Sequence, residues 1–348
     1  MDTRMDNSMK RQSLYFRAPY CVDVDEEVIS EPGPGEVLVK TLVSAISSGT
    51  ERLIYQGLVP SDMPIDDTID AFKDNKFSYP LKYGYAAVGQ VIAVGQGLDD
   101  SWNGAVVFAF NPHESHFITT PDSLIPLSIS PEDAVFLPNM ETAVSFVMDA
   151  EPLIGEHIAV FGQGITGLLT TRLLSEHPLT SLITLDPIPS RRAHSRQFGA
   201  TESLDPRTPD HGAQVLALLQ KDHSCSGADL TFELSGHPYA LQQALDITGS
   251  NGRILLGSWY GDKKVGLNLG GSFHRSQIQI ISSQVSHLAP RWRGRWDKTR
   301  RMQVALSFVK RYRPASLITH RFPLNRADEA YRLLDQARDD TLQIIFTY

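Results

Sequence analysis

The first third of the chain alternates short apolar and β-branched runs with turn-forming residues. Four such runs are GEVLVKTLVSAIS, AAVGQVIAVG, GAVVFAF and SHFITTP, and Gly, Pro, Asn and Asp separate them. Runs of this length with these boundaries are typical of β-strands. The stretch YPLKYGYAAVGQVIAVG, residues 79–95, predicts a glycine-containing β-hairpin. Residues 13–125 are therefore predicted to be rich in β-structure.

The pattern changes near residue 130. The segment PEDAVFLPNMETAVSFVMDA has the apolar spacing of a helix, with Pro131 at its first position and Ser130 before it as the cap. From residue 155, strand-like runs alternate with helical ones. The strand candidates are HIAVF, SLITLD, ADLTFELS, RILLGSW and QIQIISS. This alternation predicts an α/β fold with a doubly wound parallel sheet.

The last fifty residues have a different pattern of apolar and polar positions. KTRRMQVALSFVKRY and ADEAYRLLDQARDD have the spacing of amphipathic helices, and LQIIFTY has the composition of a strand. We therefore expect two helices followed by a closing strand.

Composition excludes several classes of function. With 348 residues, the chain is long enough for two domains. Its net charge of −8 argues against a general nucleic-acid binder, and no apolar run approaches the roughly 20 residues that cross a bilayer. Residues 1–12 lack the apolar core of a signal peptide and are expected to form a disordered tail. The two cysteines, Cys21 and Cys225, have no CxxC spacing, and we expect a cytoplasmic protein.

The strongest motif is HIAVFGQGITGLLTTRLL. Gly162, Gly164 and Gly167 form a GxGxxG pattern between an apolar strand and an apolar helix, which is the context that a dinucleotide-binding motif requires. The first glycine permits a tight turn, the second lets the backbone approach a pyrophosphate, and the third lets helix and strand pack closely. The helix N-terminus at Ile165 and Thr166 then offers free N–H groups to the phosphates.

The choice of nicotinamide cofactor depends on the end of the next strand. Asp186 lies 19 residues beyond Gly167, where an acid accepts hydrogen bonds from the adenosine ribose and repels a 2′-phosphate. This position favours NAD over NADP. Arg191 and Arg192 follow soon after; either they face solvent at the start of the next helix, or Arg191 contacts the cofactor.

Taken together, these motifs resemble the medium-chain dehydrogenase/reductase superfamily over nearly the whole chain. The resemblance rests on SSGTERLIYQG, residues 79–95, the GxGxxG unit and FELSGHPYALQQALDITGSNGRILLGSW. It implies a GroES-like catalytic domain formed by residues 13–128 and 286–348 and a Rossmann domain formed by residues 129–285. In the family, cofactor and substrate meet between the two domains, and homodimers through the Rossmann domain are common, although nothing in this sequence shows one.

The resemblance also indicates that the usual zinc ligands have been lost. Zinc-dependent members have a cysteine at the position of Ser48. They have Gly-His-Glu at the position of residues 84–86, so that Tyr85 replaces the histidine. Glu141 corresponds to a third ligand. Serine and tyrosine hydroxyls stay protonated at neutral pH and bind zinc poorly. The four-cysteine structural zinc lobe is also absent. We therefore expect no zinc, and the pattern is similar to the zinc-less branch that contains bacteriochlorophyllide hydroxyethyl dehydrogenase.

Without a metal, side chains must handle the substrate proton. The family alignment places Ser48, Glu51 and Tyr85 near the vacated metal position, with Glu141 as a further candidate. Tyr85 is the predicted acid or base, provided that a cation such as Lys82 lowers its pKa; the alternative is that Tyr85 only packs. His113 is the second candidate because a free histidine titrates near neutrality; the alternative is a loop histidine bonded to backbone.

The PHESHF segment contains three side chains of metal-binding type, His113, Glu114 and His116. His113 and Glu114 face opposite ways in an extended segment, so we expect no metal there. Further cofactor contacts are predicted at the ends of two later strands, where an open α/β sheet binds ligands. These contacts are Ser235, Gly236, Gly257 and Ser258.

The sequence leaves three functions open. The first is a zinc-independent, NAD-dependent oxidoreductase that interconverts a secondary alcohol and a carbonyl on a bulky small molecule. The second is a C=C reductase of the quinone or enoyl type, and the third is a non-catalytic nucleotide-binding protein. The basic, aromatic segment APRWRGRWDKTRR either contacts an anionic or flat substrate or leads into the next helix with its arginines exposed.

Overall fold

The computed structural model describes residues 9–61, 63–66, 68–73, 75–219, 226–337 and 339–348. The chain divides into two compact units, residues 1–138 with 309–348 and residues 139–308. Residues 286–308, which the sequence analysis grouped with the GroES-like domain, fall in the second unit, and residues 129–138, which it grouped with the Rossmann domain, fall in the first. Helices α3 (Leu137–Ala150) and α8 (Lys298–Tyr312) contain the two boundaries.

The first unit is built mainly from β-structure. Its larger sheet has the strand order β14-β15-β3-β4-β5-β7, with β6 paired to β3, and β1 and β2 form a separate antiparallel ribbon. Apolar side chains of β3, β4 and β5 form the core, among them the fully buried Val37, Val39 and Val107. The elements are β1 (Lys10–Ala18), β2 (Cys21–Val28), β3 (Val37–Ala45), α1 (Thr50–Gln56), β4 (Ala87–Val94), β5 (Val106–Ala109), β6 (His116–Thr119), β7 (Leu124–Pro126), α2 (Pro131–Ala134), β14 (Ile318–Pro323), α9 (Ala327–Gln336) and β15 (Gln343–Thr347).

The second unit is a doubly wound α/β domain. Its sheet is parallel and has the order β10-β9-β8-β11-β12-β13, which is the order of a dinucleotide-binding Rossmann fold. The strands are buried because the helices that connect them lie on the faces of the sheet. The elements are β8 (His157–Phe161), α4 (Ile165–Leu174), β9 (Ser181–Leu185), α5 (Pro189–Gln197), β10 (Glu202–Leu204), α6 (His211–Leu219), β11 (Ala228–Glu233), α7 (Pro238–Ile247), β12 (Thr248–Leu256) and β13 (Gln279–Ser282).

These two architectures confirm the predicted fold class, a Rossmann sheet together with a β-rich domain. The five strands predicted in the second unit are all present. Strand β10 was missed because it has only three residues and follows a polar turn. The two C-terminal helices and the closing strand are also present.

The helix predicted over residues 131–150 is interrupted. Ser130 caps α2 as expected, since its hydroxyl accepts from the Asp133 N–H at 3.1 Å. The chain then starts a second helix, α3, at Leu137. Pro138 explains the break, because a proline has no N–H and its ring crowds the preceding turn, which suits the start of a helix and not its interior.

The predicted hairpin over residues 79–95 is half right. Only Ala87–Val94 forms a strand, which pairs with β3 and β5. Before it, Leu81 makes an isolated bridge to Phe16, and Gly84 has a φ of +125°, outside the range of a regular strand. This irregular segment is what presents Tyr83 and Tyr85.

The predicted N-terminal tail, residues 1–12, overlaps strand β1 at residues 10–12. Strand β1 begins at Lys10 because its backbone pairs with β2, and Gln12 donates its N–H to the Ser115 hydroxyl at 2.8 Å. Residues 1–8 lie outside the described part of the chain, as does Cys225, while Cys21 is an exposed free thiol. Over the described residues, every helix is too short or too polar to cross a bilayer.

Candidate active site

The glycine-rich loop of the second unit follows directly after β8. Gly162 has a φ of +87°, and a β-carbon there would lie 2.7 Å from the backbone of Ser235. A β-carbon on Gly167 would lie 1.9 Å from the Gly162 carbonyl oxygen. Only glycine fits these two positions, so the loop brings its backbone close to the ends of two strands.

The start of α4 is open to an anion. Gly164 is the residue before the helix, and no side chain caps the first turn at Ile165 and Thr166. The Arg191 guanidinium Nη1 lies 4.0 Å from the place that a β-carbon on Gly164 would occupy. Free helix N–H groups beside an arginine form a site that fits the pyrophosphate of a dinucleotide.

Asp186 is held at the end of β9 beside this loop. Its side chain is buried, with Oδ2 accepting from the Gln163 N–H at 2.7 Å and Oδ1 from the Ile188 N–H at 2.8 Å. A carboxylate oxygen has two lone pairs, so each oxygen keeps one for a ribose hydroxyl. Arg192 donates to the Asp186 main-chain carbonyl at 2.8 Å and therefore does not face solvent.

The loops after β11 and β12 are joined by a buried carboxylate. Glu233 is wholly buried; Oε1 accepts from the Ser235 N–H at 2.8 Å and from its hydroxyl, and Oε2 accepts from the Tyr260 hydroxyl at 2.8 Å. The Ser258 hydroxyl accepts from the Gly236 N–H at 2.9 Å. The structure therefore brings Ser235, Gly236 and Ser258 together.

Gly257 completes this region by close packing. A β-carbon on Gly257 would lie 2.5 Å from Cζ of Phe146, so a larger residue would displace the loop. Burial raises the pKa of Tyr260, and the charge of Glu233 and its hydrogen bond raise it further. Tyr260 consequently stays a hydrogen-bond donor to Glu233.

In the first unit, His113 lies in the centre of a buried polar network. Its side chain is fully buried, with Nδ1 2.6 Å from the Ser44 hydroxyl and Nε2 3.1 Å from Oε2 of Glu51. The Ser44 hydroxyl also lies 2.7 Å from the Tyr348 hydroxyl, and Glu51 accepts from the Tyr331 hydroxyl. Both ring nitrogens of His113 are thus bound to side chains, not to backbone.

Tyr85 lies next to this network and is half-buried. Its hydroxyl donates to the Ser47 hydroxyl. Burial raises the pKa of Tyr85 to about 12, with the Ser47 hydrogen bond opposing and the negative charge of Glu51 adding to the rise. The phenol is therefore protonated at neutral pH.

Lys82 does not activate Tyr85 as the sequence analysis required. Its ammonium group lies 2.8 Å from carboxylate oxygens of both Glu27 and Glu114. Lys82 pairs with both acids at once and so connects the β1–β2 ribbon, through Glu27, to the loop that contains Glu114. The predicted lowering of the Tyr85 pKa is wrong for this reason.

The remaining candidates at the family's zinc positions make different contacts. Ser48 is half-buried in the turn before α1. Glu141 on α3 accepts from Arg301 at 2.8 Å, and both side chains are buried. A serine hydroxyl, a protonated tyrosine and a carboxylate already paired with arginine do not fit the usual zinc donor set. Within the described residues, no group of three or more His, Cys, Asp and Glu could hold a metal ion.

Sequence reasoning did not find all of these groups. Glu233 could have been noticed, because it is an acid at the carboxyl end of a predicted strand of the parallel sheet, where ligands bind. Ser44, Tyr331 and Tyr348 gave no signal, because they lie in apolar or amphipathic runs far from His113 in sequence.

The basic, aromatic segment is largely occupied with its own contacts. Arg291 lies 2.6 Å from Glu151, and the Arg291 and Arg295 guanidinium groups lie within 5.7 Å of the Trp292 ring centre. Arg300 lies over Trp296 at 4.1 Å. Arg291, Arg293, Arg295 and Arg300 are exposed and the tryptophans half-buried, as the second of the two sequence hypotheses expected. Arg301, the last residue of the segment, is instead buried against Glu141.

Comparison with known proteins gives a consistent picture. A family profile described as zinc-binding dehydrogenase matches residues 166–301. D-Guloside 3-dehydrogenase of Escherichia coli K12 is 28% identical over 74% of this chain and 77% of its own. L-Threonine 3-dehydrogenase of Pyrococcus horikoshii is 24% identical over 90% of this chain and 92% of its own. A solved structure described as a short chain alcohol dehydrogenase from E. coli CFT073, complexed with NADH, has a TM-score of 0.77 at 17% identity, covering 97% of this chain and 99% of its own.

The fold, the glycine-rich loop and these relatives define a nicotinamide-type oxidoreductase scaffold. The chain is an oxidoreductase, and the family profile, the dehydrogenase relatives and the fold support the medium-chain dehydrogenase/reductase superfamily. The alternative of a non-catalytic nucleotide-binding protein is therefore set aside.

Proposed function

We propose that this enzyme interconverts a secondary alcohol and a carbonyl on a bulky small molecule, with NAD(H) as cofactor and without zinc. The relatives named above, a guloside and a threonine dehydrogenase, support a hydroxyl-bearing substrate. The observation that carries the proposal is Tyr85: a protonated phenol stands at the family's zinc-histidine position, beside a serine and not a metal ligand.

The second unit supplies the cofactor site. Ile165 and Thr166 offer N–H groups to the pyrophosphate, with Arg191 beside them, and Asp186 accepts from the adenosine ribose. Ser235, Gly236, Gly257 and Ser258 lie at the strand ends that bind the rest of a dinucleotide in this fold. When bound, the nicotinamide accepts a hydride from the alcohol carbon or returns one to the carbonyl carbon.

Tyr85 supplies the proton. During carbonyl reduction the substrate oxygen gains negative charge as hydride reaches its carbon. The Tyr85 O–H, which donates to Ser47 in this structure, turns to that oxygen and gives up its proton, while the Ser47 hydroxyl donates to the phenol oxygen instead. Alcohol oxidation runs the same transfer in reverse and needs the ionised phenol. Burial raises the pKa of Tyr85 to about 12, so at neutral pH the phenol is in the form that donates during reduction, and the rate of oxidation should rise with pH on the alkaline side.

The test uses acetophenone and 1-phenylethanol as bulky probes, with cyclohexenone as the C=C substrate. Each is assayed with NAD(H) and NADP(H), with and without a chelator. We expect acetophenone reduction by NADH that resists the chelator, and a fall of about a hundredfold or more in kcat for Tyr85→Phe. Turnover lost to the chelator would remove zinc independence, and reduction of cyclohexenone alone would favour the C=C reductase.

Cofactor preference is tested separately at Asp186. Asp186→Asn removes the charge that repels a 2′-phosphate and keeps one oxygen, which can accept from one of the two main-chain N–H groups that Asp186 binds. We expect the ratio of NADH to NADPH affinity to fall in this variant. An unchanged ratio would remove the proposed role and direct attention to Arg191 as a partner for the 2′-phosphate.

A further inference from the structure

Glu51 contacts both the buried histidine and the serine bonded to Tyr85. It lies in the first turn of α1 and is fully buried. Its Oε1 accepts from the Ser47 main-chain N–H at 2.7 Å, while Oε2 faces His113 and the Tyr331 hydroxyl. A buried carboxylate is stable only when such partners replace its water.

This arrangement connects Glu51 to Tyr85 through a single residue. Ser47 is held at its main chain by Glu51, and its side-chain hydroxyl accepts from Tyr85. Moving the Glu51 carboxylate would move Ser47 and so release the Tyr85 hydroxyl. The orientation of the phenol therefore depends on Glu51.

His113 acts on the opposite side of the carboxylate. Its ring is sealed from solvent and packs edge-on against Phe346, with ring centres 5.0 Å apart. A residue so enclosed does not exchange protons directly with a bound substrate. Its contacts to Ser44 and Glu51 instead fix the carboxylate between β3 and α1.

We propose that Glu51, anchored by His113 and Tyr331, is a positioning residue that orients the Tyr85 hydroxyl through Ser47 and supplies the charge that this phenol faces. The inference deepens the proposed function, since it rests on Tyr85 handling the substrate proton. In this proposal His113 holds the Glu51 carboxylate in place and does not carry the substrate proton. The ionisable groups near Glu51 are His113, Tyr331 and Tyr348. The ionisable group beside Tyr85 is Tyr83, and the ring centres of these two tyrosines lie 6.0 Å apart.

Two substitutions separate charge from position. Glu51→Gln keeps a side-chain oxygen for the Ser47 N–H but removes the charge. Glu51→Asp keeps the charge but withdraws it from Ser47 by one methylene. Glu114→Gln is the matched control, because Glu114 is also a buried carboxylate of this unit but bonds to Lys82 and Ser13.

The first readout needs no substrate. The protein is labelled with ¹³Cζ-tyrosine, the Tyr85 resonance is assigned with Tyr85→Phe, and its ionisation is followed by NMR against pH. We expect Tyr85 to ionise at lower pH in Glu51→Gln than in wild type, and near the wild-type pH in Glu51→Asp and Glu114→Gln. An unchanged Tyr85 titration in Glu51→Gln overturns the inference; if that variant does not fold, the kinetics of Glu51→Asp decide.

The second readout is acetophenone reduction. Glu51→Asp should lower kcat on the order of tenfold to a hundredfold with little change in KM, because the donor is misplaced and not removed. A kcat within twofold of wild type overturns the positioning role. If Tyr85→Phe itself keeps full turnover, the proposed function fails at Tyr85, whereas the NMR titration still decides whether Glu51 governs the phenol.

Discussion

The imidazole of His113 lies directly over Gly84, so that a β-carbon on Gly84 would meet Cδ2 of His113 at 2.8 Å. The φ of Gly84, +125°, is also one that other residues rarely adopt. The glycine next to the candidate acid therefore serves two purposes: it turns the chain, and it leaves room for the buried histidine.

Gly84→Ala should destabilise the protein, because His113 is held by two hydrogen bonds and cannot move aside cheaply. We expect a loss of about 2–4 kcal/mol in the free energy of unfolding, measured by urea titration. Gly97→Ala is the control, since Gly97 has a φ of +89° but no atom within 4 Å of the added carbon. Equal losses in the two variants would show that the contact with His113 contributes nothing.

Glu141 should prove to be a structural residue. Glu141→Gln leaves Arg301 buried without its counter-charge, and we expect a loss of about 3–5 kcal/mol in unfolding free energy. Glu132→Gln, which breaks the exposed pair with Arg321, should cost less than about 1 kcal/mol. If Glu141→Gln instead keeps its stability and loses turnover, Glu141 takes part in catalysis.

The link between the two cofactor loops should set cofactor affinity. Tyr260→Phe removes the hydroxyl that donates to Glu233 and loosens the loop carrying Ser258. We expect the Kd for NADH, measured by fluorescence titration, to rise about threefold to tenfold. Tyr239→Phe provides the comparison, because Tyr239 is 75% exposed and should leave the Kd unchanged; a similar rise in both variants would speak against the link.

The ribbon of β1 and β2 should detach first in acid. Burial alone raises the pKa of Glu27, but hydrogen bonds from Lys82, Tyr15 and Arg11 outweigh it and lower the pKa to about 2, from an ordinary 4.5. A depressed pKa contributes stability that is complete above pH 4.5 and is lost as the pH falls towards 2.

Glu27→Gln should therefore flatten the dependence of stability on pH in this window and lower stability at neutral pH. Chemical unfolding at pH 7, 4 and 3 measures both effects. Glu26→Gln is the control, because the Glu26 side chain is 61% exposed. A slope that stays as steep in Glu27→Gln as in wild type would assign the acid sensitivity to other carboxylates.

The sequence by itself determined the Rossmann unit and its cofactor loop. Strand β8, the three glycines and Asp186 are close together along the chain, and local rules of turn geometry and helix capping govern them. The resemblance assigns Ser48 and Tyr85 to positions where zinc-dependent members have cysteine and histidine, and this prediction too came from the sequence, because it depends on residue identity and not on distance.

Only the tertiary structure decided what the remaining polar groups do. His113 meets Ser44 and Glu51 across 69 and 62 residues, and Tyr331 reaches Glu51 across 280. Lys82 was expected beside Tyr85, but the fold brings two carboxylates to it instead. Contacts between strands far apart in sequence depend on sheet register and burial, and these determine which charge each titratable group faces and hence its acidity.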